Sequence, residues 1–111
     1  MFEIQVKSPT RVDLAGGTLD FWPLYLFLEN PVTINVAIDI FTSVELRELK
    51  GSKIELESVD LGIRKEYRDL REALSDPEPA FELVRAHLKF WRPEKGFFLK
   101  TNSDSPVGGG L

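Results

Sequence analysis

The feature that most constrains the fold is a long run in which large aliphatic residues take every second position. The aliphatic residues of this run are Val32, Ile34, Val36, Ile38 and Ile40. Successive side chains of a strand point to opposite faces of a sheet, so the run predicts a β-strand. We expect this strand to continue, after a bulge, through residues 44–47. A strand of this length needs partner strands, and the chain is therefore expected to be rich in strands.

Shorter segments predict the other strands of the sheet. Residues 2–7 alternate in the same way and predict a half-buried strand that ends at Ser8-Pro9, because proline cannot donate to a ladder. The turn residues Lys50-Gly51-Ser52-Lys53 predict a hairpin in which the next strand returns beside the long one. The remaining strands are predicted at 11–15, 54–57, 64–69 and 96–101.

One helix is predicted before the last strand. Asp76 offers an N-cap acceptor, and Pro77 suits the first helical position. Apolar residues then recur at helical spacing until Arg92-Pro93 ends the helix; they are Phe81, Val84, Leu88 and Trp91. The nearly all-apolar stretch 21–28 predicts a buried loop or a short helix. Together these elements predict an α+β fold.

Composition excludes several classes of site and partner. The 111 residues fit one domain or part of one, and the chain has no cysteine and one histidine. Disulfides and cysteine-based or histidine-rich metal sites are therefore excluded, and a reducing cytoplasm suits this composition. The net charge of −4 argues against a nucleic-acid partner. No apolar run approaches the roughly 20 residues of a membrane span, so no membrane partner is expected.

The chain ends in a glycine-rich segment that follows the last predicted strand. Glycines let the main chain approach a ligand closely, and consecutive N–H groups can then cradle phosphate oxygens. The segment is neither a Walker A loop nor a dinucleotide fingerprint, because neither spacing is present. Taken alone, it fits a flexible tail or a plain turn as well as a phosphate loop.

Two motifs together resemble those of the GHMP kinases, the relatives of galactokinase, homoserine kinase, mevalonate kinase and phosphomevalonate kinase. The glycine-rich segment resembles the start of their central motif at Pro106, Gly110 and Leu111. Residues 8–20 resemble their first motif at Pro9, Arg11, Gly16 and Asp20. Galactokinases carry Gly-Glu-His-Thr-Asp where this chain reads Gly-Gly-Thr-Leu-Asp, and this form looks more like that of heptose-phosphate kinases. The resemblance therefore favours the sugar-kinase branch.

The resemblance implies a fold and an activity. The fold is that of the amino-terminal GHMP kinase domain, of the ribosomal protein S5 domain 2-like type, truncated at the phosphate loop. Residues 1–111 would then be a partial ATP-binding domain without the carboxy-terminal domain. The full-length protein would phosphorylate a hydroxyl of a sugar or sugar phosphate with ATP and Mg²⁺. We expect the fragment to be inactive alone, because the catalytic base and the Mg²⁺ ligands are expected beyond Leu111.

The resemblance also implies roles for individual residues. Arg11 would be catalytic, because a guanidinium offers planar, charge-assisted donors to the transferring phosphate. Asp20, with Gly17 and Thr18, would bind the substrate. The ATP phosphates would be bound by the glycine-rich segment, which consists of Pro106, Val107, Gly108, Gly109, Gly110 and Leu111.

Other residues keep two interpretations. Asp13 lies two positions after Arg11, so both could face one side, or Asp13 could be structural. Asp39 could line a ligand pocket or cap an edge turn, and Asn35 could reach a nucleotide base. His87 is expected at a helix surface or in packing. The aromatic residues of 21–27 are expected in the core or as a wall of the sugar site.

A second hypothesis is a non-catalytic module of the S5-like type, used for binding or assembly and completed by a partner chain. Under either hypothesis the truncated sheet would leave apolar surface uncovered. A companion chain or a homo-oligomer covering that face is therefore expected.

Overall fold

The computed structural model describes residues 2–19, 21–106 and 108, and its strands form one five-stranded sheet in the order β1-β2-β5-β3-β4. The strands are β1 (Glu3–Ala15), β2 (Ile34–Glu48), β3 (Ile54–Ser58), β4 (Ile63–Tyr67) and β5 (Phe97–Ser103). The helices are α1 (Leu70–Ser75) and α2 (Glu82–Trp91), with 3-10 helices at Leu24–Phe27 and Pro79–Phe81. The predicted strand-rich α+β class is confirmed.

Strands β1 and β2 form a long antiparallel ribbon with a bulge. The pairing passes from Pro9 opposite Phe41 to Thr10 opposite Ile38, which leaves Asp39 and Ile40 as extra residues in β2. The predicted bulge is confirmed, although it lies before residue 41 and not after it. The predicted break at Pro9 is wrong, because β1 is an edge strand and an edge strand tolerates the missing donor.

Strand β5 lies between β2 and β3, so the predicted hairpin of β2 with β3 is wrong. β5 pairs antiparallel with β2 and parallel with β3. The chain reverses at the predicted turn but crosses over the start of β5, where Gly96 donates its N–H to Gly51 O at 2.7 Å. A Cβ on Gly96 would lie 2.5 Å from Lys53 O, so only glycine fits beneath this turn.

The core lies between the helices and one face of β3, β4 and β5. Its buried residues are Ile54, Leu56, Tyr67, Ala73, Phe81, Leu88 and Phe97. Phe98 points to the other face, where it is also buried beneath the guanidinium groups of Arg47 and Arg64 at 4.9 and 5.4 Å from its ring centroid. Both phenylalanines of β5 therefore pack, one on each face.

The helical region differs from its prediction at the start. Asp76 does not cap α2; its Oδ2 accepts from Tyr67 Oη at 2.6 Å and from Lys65 Nζ at 2.8 Å. A 3-10 turn capped by Glu78 precedes α2, which ends, as predicted, at Arg92. Helix α1 is an unpredicted element that begins at the N-cap Asp69. No helix in the described ranges is long and apolar enough to cross a membrane.

Apolar side chains of the ribbon and of the segment after β1 are more exposed than predicted. Ile4 and Val6 are 48% and 57% exposed, because the helices cover only the β3–β4–β5 part of the sheet. Residues 24–27 form a short 3-10 helix, which was one of the two alternatives for residues 21–28, but the segment is exposed and not buried. Trp91 and His87 are exposed on α2, so His87 is at the helix surface as expected.

We expect Tyr67→Phe to lower the free energy of unfolding by about 1–2 kcal/mol, because the hydroxyl donates a short hydrogen bond to an ionised carboxylate. Urea denaturation followed by circular dichroism measures this change. Tyr25→Phe is the matched control, since the phenol of Tyr25 has no hydrogen-bond partner among the described residues. Equal losses in the two variants would contradict the assigned role of Tyr67.

The stability that Asp76 provides should depend on pH. Hydrogen bonds from Lys65 and then from Tyr67 lower the pKa of Asp76 from 3.8 to about 2. The ionised carboxylate therefore stabilises the fold above pH 3.8, and this contribution is lost as the pH falls through 2. The difference in unfolding free energy between wild type and Asp76→Asn should be constant from pH 7 to about pH 4 and then shrink. Glu29→Gln, on an exposed loop, serves as the control and should show no such change.

Candidate functional site

The two motifs of the sequence meet on either side of β2. Thr42 of β2 pairs with Ser8 of β1 on one side and with Ser103 of β5 on the other. One residue earlier in β2, Phe41 pairs with Pro9, and its carbonyl accepts from Asp104 N at 2.9 Å. Because neighbouring strands lie 4.7–4.9 Å apart, the starts of the two motifs are separated by about 10 Å.

After Ser8 and Ser103, the two motifs continue in the same direction along the sheet. β1 and β5 are each antiparallel to β2 and therefore run the same way. The residues after Ser8 lead to Arg11, and the residues after Ser103 lead to Pro106 and Gly108. The fold thus brings the predicted catalytic residue and the entry of the glycine-rich segment to the same end of the sheet.

Arg11 and Asp13 form an ion pair on one face of β1. Arg11 Nε lies 3.3 Å from Asp13 Oδ1, and the side chains are 58% and 32% exposed. The prediction that both residues face one side is confirmed. Asn35 lies directly opposite Asp13 in β2, so it shares this face. The arginine keeps most of its guanidinium accessible while the carboxylate orients it.

The turn of residues 16–19 that follows β1, which we call the glycine turn, is hydrogen-bonded to the segment just before β2. Gly16 has a φ of +75°, which is the left-handed region that favours glycine. Its carbonyl accepts from Leu19 N at 3.0 Å and from Thr33 Oγ1 at 2.9 Å. A Cβ on Gly16 would collide with Val32 O, so no residue with a side chain fits at position 16.

Gly17 places the same turn against the ion pair. A Cβ on Gly17 would lie 2.7 Å from Asp13 Oδ2, so the absence of a side chain lets the carboxylate contact the backbone. Arg11, Asp13 and Gly17 are therefore consecutive neighbours. Thr18, predicted to bind substrate, is exposed in this turn, whereas Asp20 lies outside the described residues.

The lead-in to the glycine-rich segment is ordered by short polar contacts. The hydroxyls of Ser103 and Ser105 lie 2.8 Å apart, and Asn102 Nδ2 donates to Asp104 Oδ1 at 3.2 Å. Gly108 has a φ of +75°, the type of backbone conformation that anion-binding nests use. Of the residues predicted to bind ATP, Val107, Gly109, Gly110 and Leu111 lie outside the described residues.

A shallow cavity of about 340 Å³ lies beside the glycine turn. It is lined by Leu19, Tyr25, Pro31 and Thr33, and we name it the turn cavity. The aromatic stretch was the sequence signal for Tyr25. The sequence did not indicate a role for Thr33, because it is one of the residues that alternate with the aliphatic positions of the long strand.

Acidic side chains do not cluster in the described part of the chain. Within the described ranges no group of three or more His, Cys, Asp or Glu residues could hold a metal ion. Asp39 is exposed at the β2 bulge and Asp13 is paired with Arg11. No Mg²⁺ ligand is therefore assigned to these residues.

Gly16 and Gly51, which share a φ of +75°, provide a matched test of the turn. Nothing lies within 4 Å of a Cβ placed on Gly51, so Gly51→Ala should cost only the left-handed penalty of about 1–2 kcal/mol. Gly16→Ala adds the collision with Val32 and should cost roughly 1–3 kcal/mol more. Urea denaturation of both variants measures the difference, and equal losses would show that the turn is not fastened as described.

Comparison with known proteins identifies relatives of the fold. No protein-family model matches the chain, and no curated protein matches it. Among solved structures it is similar to the Methanococcus jannaschii mevalonate kinase, with a TM-score of 0.63 and 20% identity over 96% of this chain and 34% of that one. It is similar to a D-glycero-D-manno-heptose 1-phosphate kinase from Bacteriodes thetaiotaomicron, with a TM-score of 0.66 and 20% identity over 95% and 35%.

A further mevalonate kinase gives a TM-score of 0.62 and 21% identity over 94% of this chain and 33% of that one. The chain thus spans about a third of the length of these kinases. At this level of identity the likeness establishes the fold. The chain therefore has the fold of part of a GHMP-type kinase, as the resemblance of its two motifs implies.

Proposed function

We propose that residues 1–111 form a partial ATP-binding domain of a GHMP-type sugar kinase, with the sheet arrangement of ribosomal protein S5 domain 2. The full-length kinase transfers a phosphoryl group from ATP to a hydroxyl of a sugar or sugar phosphate. The observation that carries this proposal is the position of the two motifs on either side of Thr42, about 10 Å apart. The fold shared with three solved kinases supports it.

Arg11 acts in this proposal on the charge of the transferring phosphate. Phosphoryl transfer depends on in-line positioning and on neutralising the equatorial oxygens of the moving group. The guanidinium is accessible and is oriented by Asp13 at 3.3 Å, so its free N–H groups can donate to those oxygens. Lysine could not reproduce the planar fork of donors.

The glycine-rich segment binds the ATP phosphates through its main chain. Gly108 already has the positive φ that turns successive N–H groups toward one point. The hydroxyls of Ser103 and Ser105 lie just before it and can donate to the same ligand. Residues 107–111, which follow Pro106, then supply the N–H groups nearest the transferred phosphate; Pro106 itself has no N–H to donate.

The acceptor binds at the glycine turn on the other side of β2. Gly17 lies against Asp13 of the Arg11–Asp13 pair, Thr18 is exposed in the same turn, and Asp20 follows them in sequence. A carboxylate at this point accepts hydrogen bonds from sugar hydroxyls and orients one of them toward ATP. Arg11 is thereby placed between the two ligands.

Mg²⁺, when bound to ATP, neutralises phosphate charge in kinases. The described residues offer no acidic cluster for it. Its ligands, like the catalytic base, are therefore assigned to another part of the full-length kinase.

The second candidate is a non-catalytic module completed by a companion chain or a second copy. Exposed apolar side chains on the β1–β2 ribbon favour it, among them Phe2, Ile4 and Val6. This module would not bind ATP at residues 103–108. A measurement of nucleotide binding therefore distinguishes the two candidate functions.

The cytoplasmic location suggested by the composition stays a prediction.

We expect ATP to bind the 111-residue chain and to shift the amide resonances of residues 103–108 and Arg11 in a ¹H–¹⁵N titration. Arg11→Lys should weaken binding about tenfold, because the fork of charge-assisted donors is lost. Arg71→Lys, on the exposed side of α1, is the matched control and should bind as wild type does. Shifts confined to other parts of the sheet would contradict the proposal.

Transfer of phosphate is the second test. Incubation with ³²P-labelled ATP and a panel of sugars should give no product with the 111 residues alone, because they span about a third of the kinases they match. A longer chain that includes a carboxy-terminal domain should give labelled sugar. Product formed by the 111 residues would show that the catalytic base lies within them.

A further inference from the structure

We infer that the outer edge of β1 pairs with the same edge of a second copy of this chain, antiparallel and about a two-fold axis at Gln5. The two five-stranded sheets then join into one continuous sheet. The direction of the main-chain groups of β1 and the order of the charges along it carry this inference. The pairing does not depend on the kinase activity proposed above.

The odd-numbered residues at the start of β1 turn their main-chain groups away from β2. Glu48 of β2 donates its N–H to Phe2 O at 3.1 Å, so these opposed residues form a hydrogen-bonded pair. Hydrogen-bonded and non-hydrogen-bonded pairs alternate along an antiparallel ladder, and the register is regular from residue 3 to residue 9. The N–H and C=O groups that face the outer edge therefore belong to Glu3, Gln5 and Lys7.

Pro9 confirms this direction and ends the edge. Phe41, which lies opposite Pro9, turns its carbonyl to the β5 side, where it accepts from Asp104 N at 2.9 Å. Pro9 therefore faces outward, as residues 3, 5 and 7 do. Because proline has no N–H, a second strand can pair along residues 3–7 but its ladder ends at Pro9.

The charges of this segment are complementary to themselves. In an antiparallel pair centred on Gln5, Glu3 lies opposite Lys7 of the second copy, and Lys7 lies opposite Glu3 of the second copy. Both side chains are exposed, and neither has an ion-pair partner in the described ranges. Opposite charges in opposed positions stabilise a strand pair, and like charges destabilise it. A parallel pair in the same register would place each charge beside its like, so the charges select the antiparallel arrangement.

Apolar side chains meet on the other face of the same strand pair. Ile4 lies opposite Val6 of the second copy, and both are exposed in the single chain. Alternation places them on the face away from Glu3 and Lys7. Pairing therefore removes apolar surface from water on one face while it joins opposite charges on the other.

The second edge of the sheet, β4, lacks these features. It has only five residues, against thirteen in β1. Its cations are already paired within the chain, Arg64 with Glu55 at 2.9 Å and Lys65 with Asp76 at 2.8 Å. Short, charged edge strands resist pairing with another chain, so β1 is the edge at which a second copy adds.

The size of the strand pair sets its strength. Residues 2–8 of each copy take part, which is fewer than the roughly 20–30 residues a side of a standard interface. The dimer is therefore expected to be weak and to depend on concentration. Arg11 lies six residues from Gln5, or roughly 20 Å along the strand, so the candidate sites of the two copies stay open on opposite sides of the axis.

Sedimentation equilibrium up to millimolar concentration measures the dissociation constant of the dimer. Lys7→Glu and Glu3→Lys each place like charges opposite one another and should weaken the dimer at least about tenfold. A mixture of these two variants has only opposite charges across the pair and should form a heterodimer about as tight as the wild-type dimer. Lys50→Glu, on the exposed turn after β2, is the matched control and should dimerise as wild type does.

Two substitutions of Gln5 test the main-chain pairing and its register. Gln5→Pro removes an outward N–H, leaves the β1–β2 ladder intact and should abolish the dimer, and urea denaturation shows that this variant is folded. The chain has no cysteine, and the Cα atoms of a hydrogen-bonded pair lie about 5.5 Å apart, within the range of a disulfide. Gln5→Cys should therefore form a disulfide-linked dimer on oxidation. Glu3→Cys, which lies opposite position 7 of the second copy, should not.

Three outcomes would overturn the inference. A wild-type chain that stays monomeric at millimolar concentration shows that the edges do not pair. A dimer that ignores the charge variants uses another surface. If the 111-residue chain dimerises through β1 but a longer chain with a carboxy-terminal domain does not, another part of the kinase covers this edge and the second copy is the wrong partner. None of these outcomes bears on ATP binding at residues 103–108, by which the proposed function is tested.

Discussion

The pairing of β5 with both β2 and β3 is the interaction on which the rest of the structure depends. β5 joins the β1–β2 ribbon to β3 and β4, which pair on its far side, and Leu46 of β2 packs against the helix-covered core beside it. β5 sends Phe97 into that core and Phe98 beneath two arginines on the other face. Its register with β2 also sets the distance between Arg11 and Gly108. One strand thus determines both the stability of the sheet and the spacing of the site.

The positions of the strands could be predicted from the sequence, but which strands pair with each other could not. Alternation shows which residues share a face, whereas partner choice depends on contacts between distant segments. The turn at 50–53 shows a reversal, and nothing local shows that another strand enters beneath it. Helix α1 did have a signal, because Asp69 and Glu72 stand at the spacing of a capping box. The prediction that Asp76 is the N-cap of the helix was wrong, because its carboxylate forms a tertiary contact with Lys65 and Tyr67.

The candidate site was predictable where it depends on local spacing. Arg11 and Asp13 are two residues apart on a strand, so their common face follows from the pleat. The requirement for glycine at Gly16 and Gly17 follows from the turn and from the close contact with Asp13. The turn cavity was not predictable, because it forms only when residues 17–32 fold back and Thr33 reaches Gly16. That contact joins residues 17 positions apart.

The hydrogen bond from Thr33 Oγ1 to Gly16 O closes the segment 17–32 at its base. A loop whose ends are tied behaves as a compact unit of the Ω type, and its interior residues contribute little to the sheet. Its sequence can therefore change length and side chains while β1, β2 and the glycine-rich segment stay in place. Under the proposed function, acceptor binding and phosphate binding would in this way be carried by separable parts of the chain. Exchange of this loop between proteins of this fold would then alter one without displacing the other.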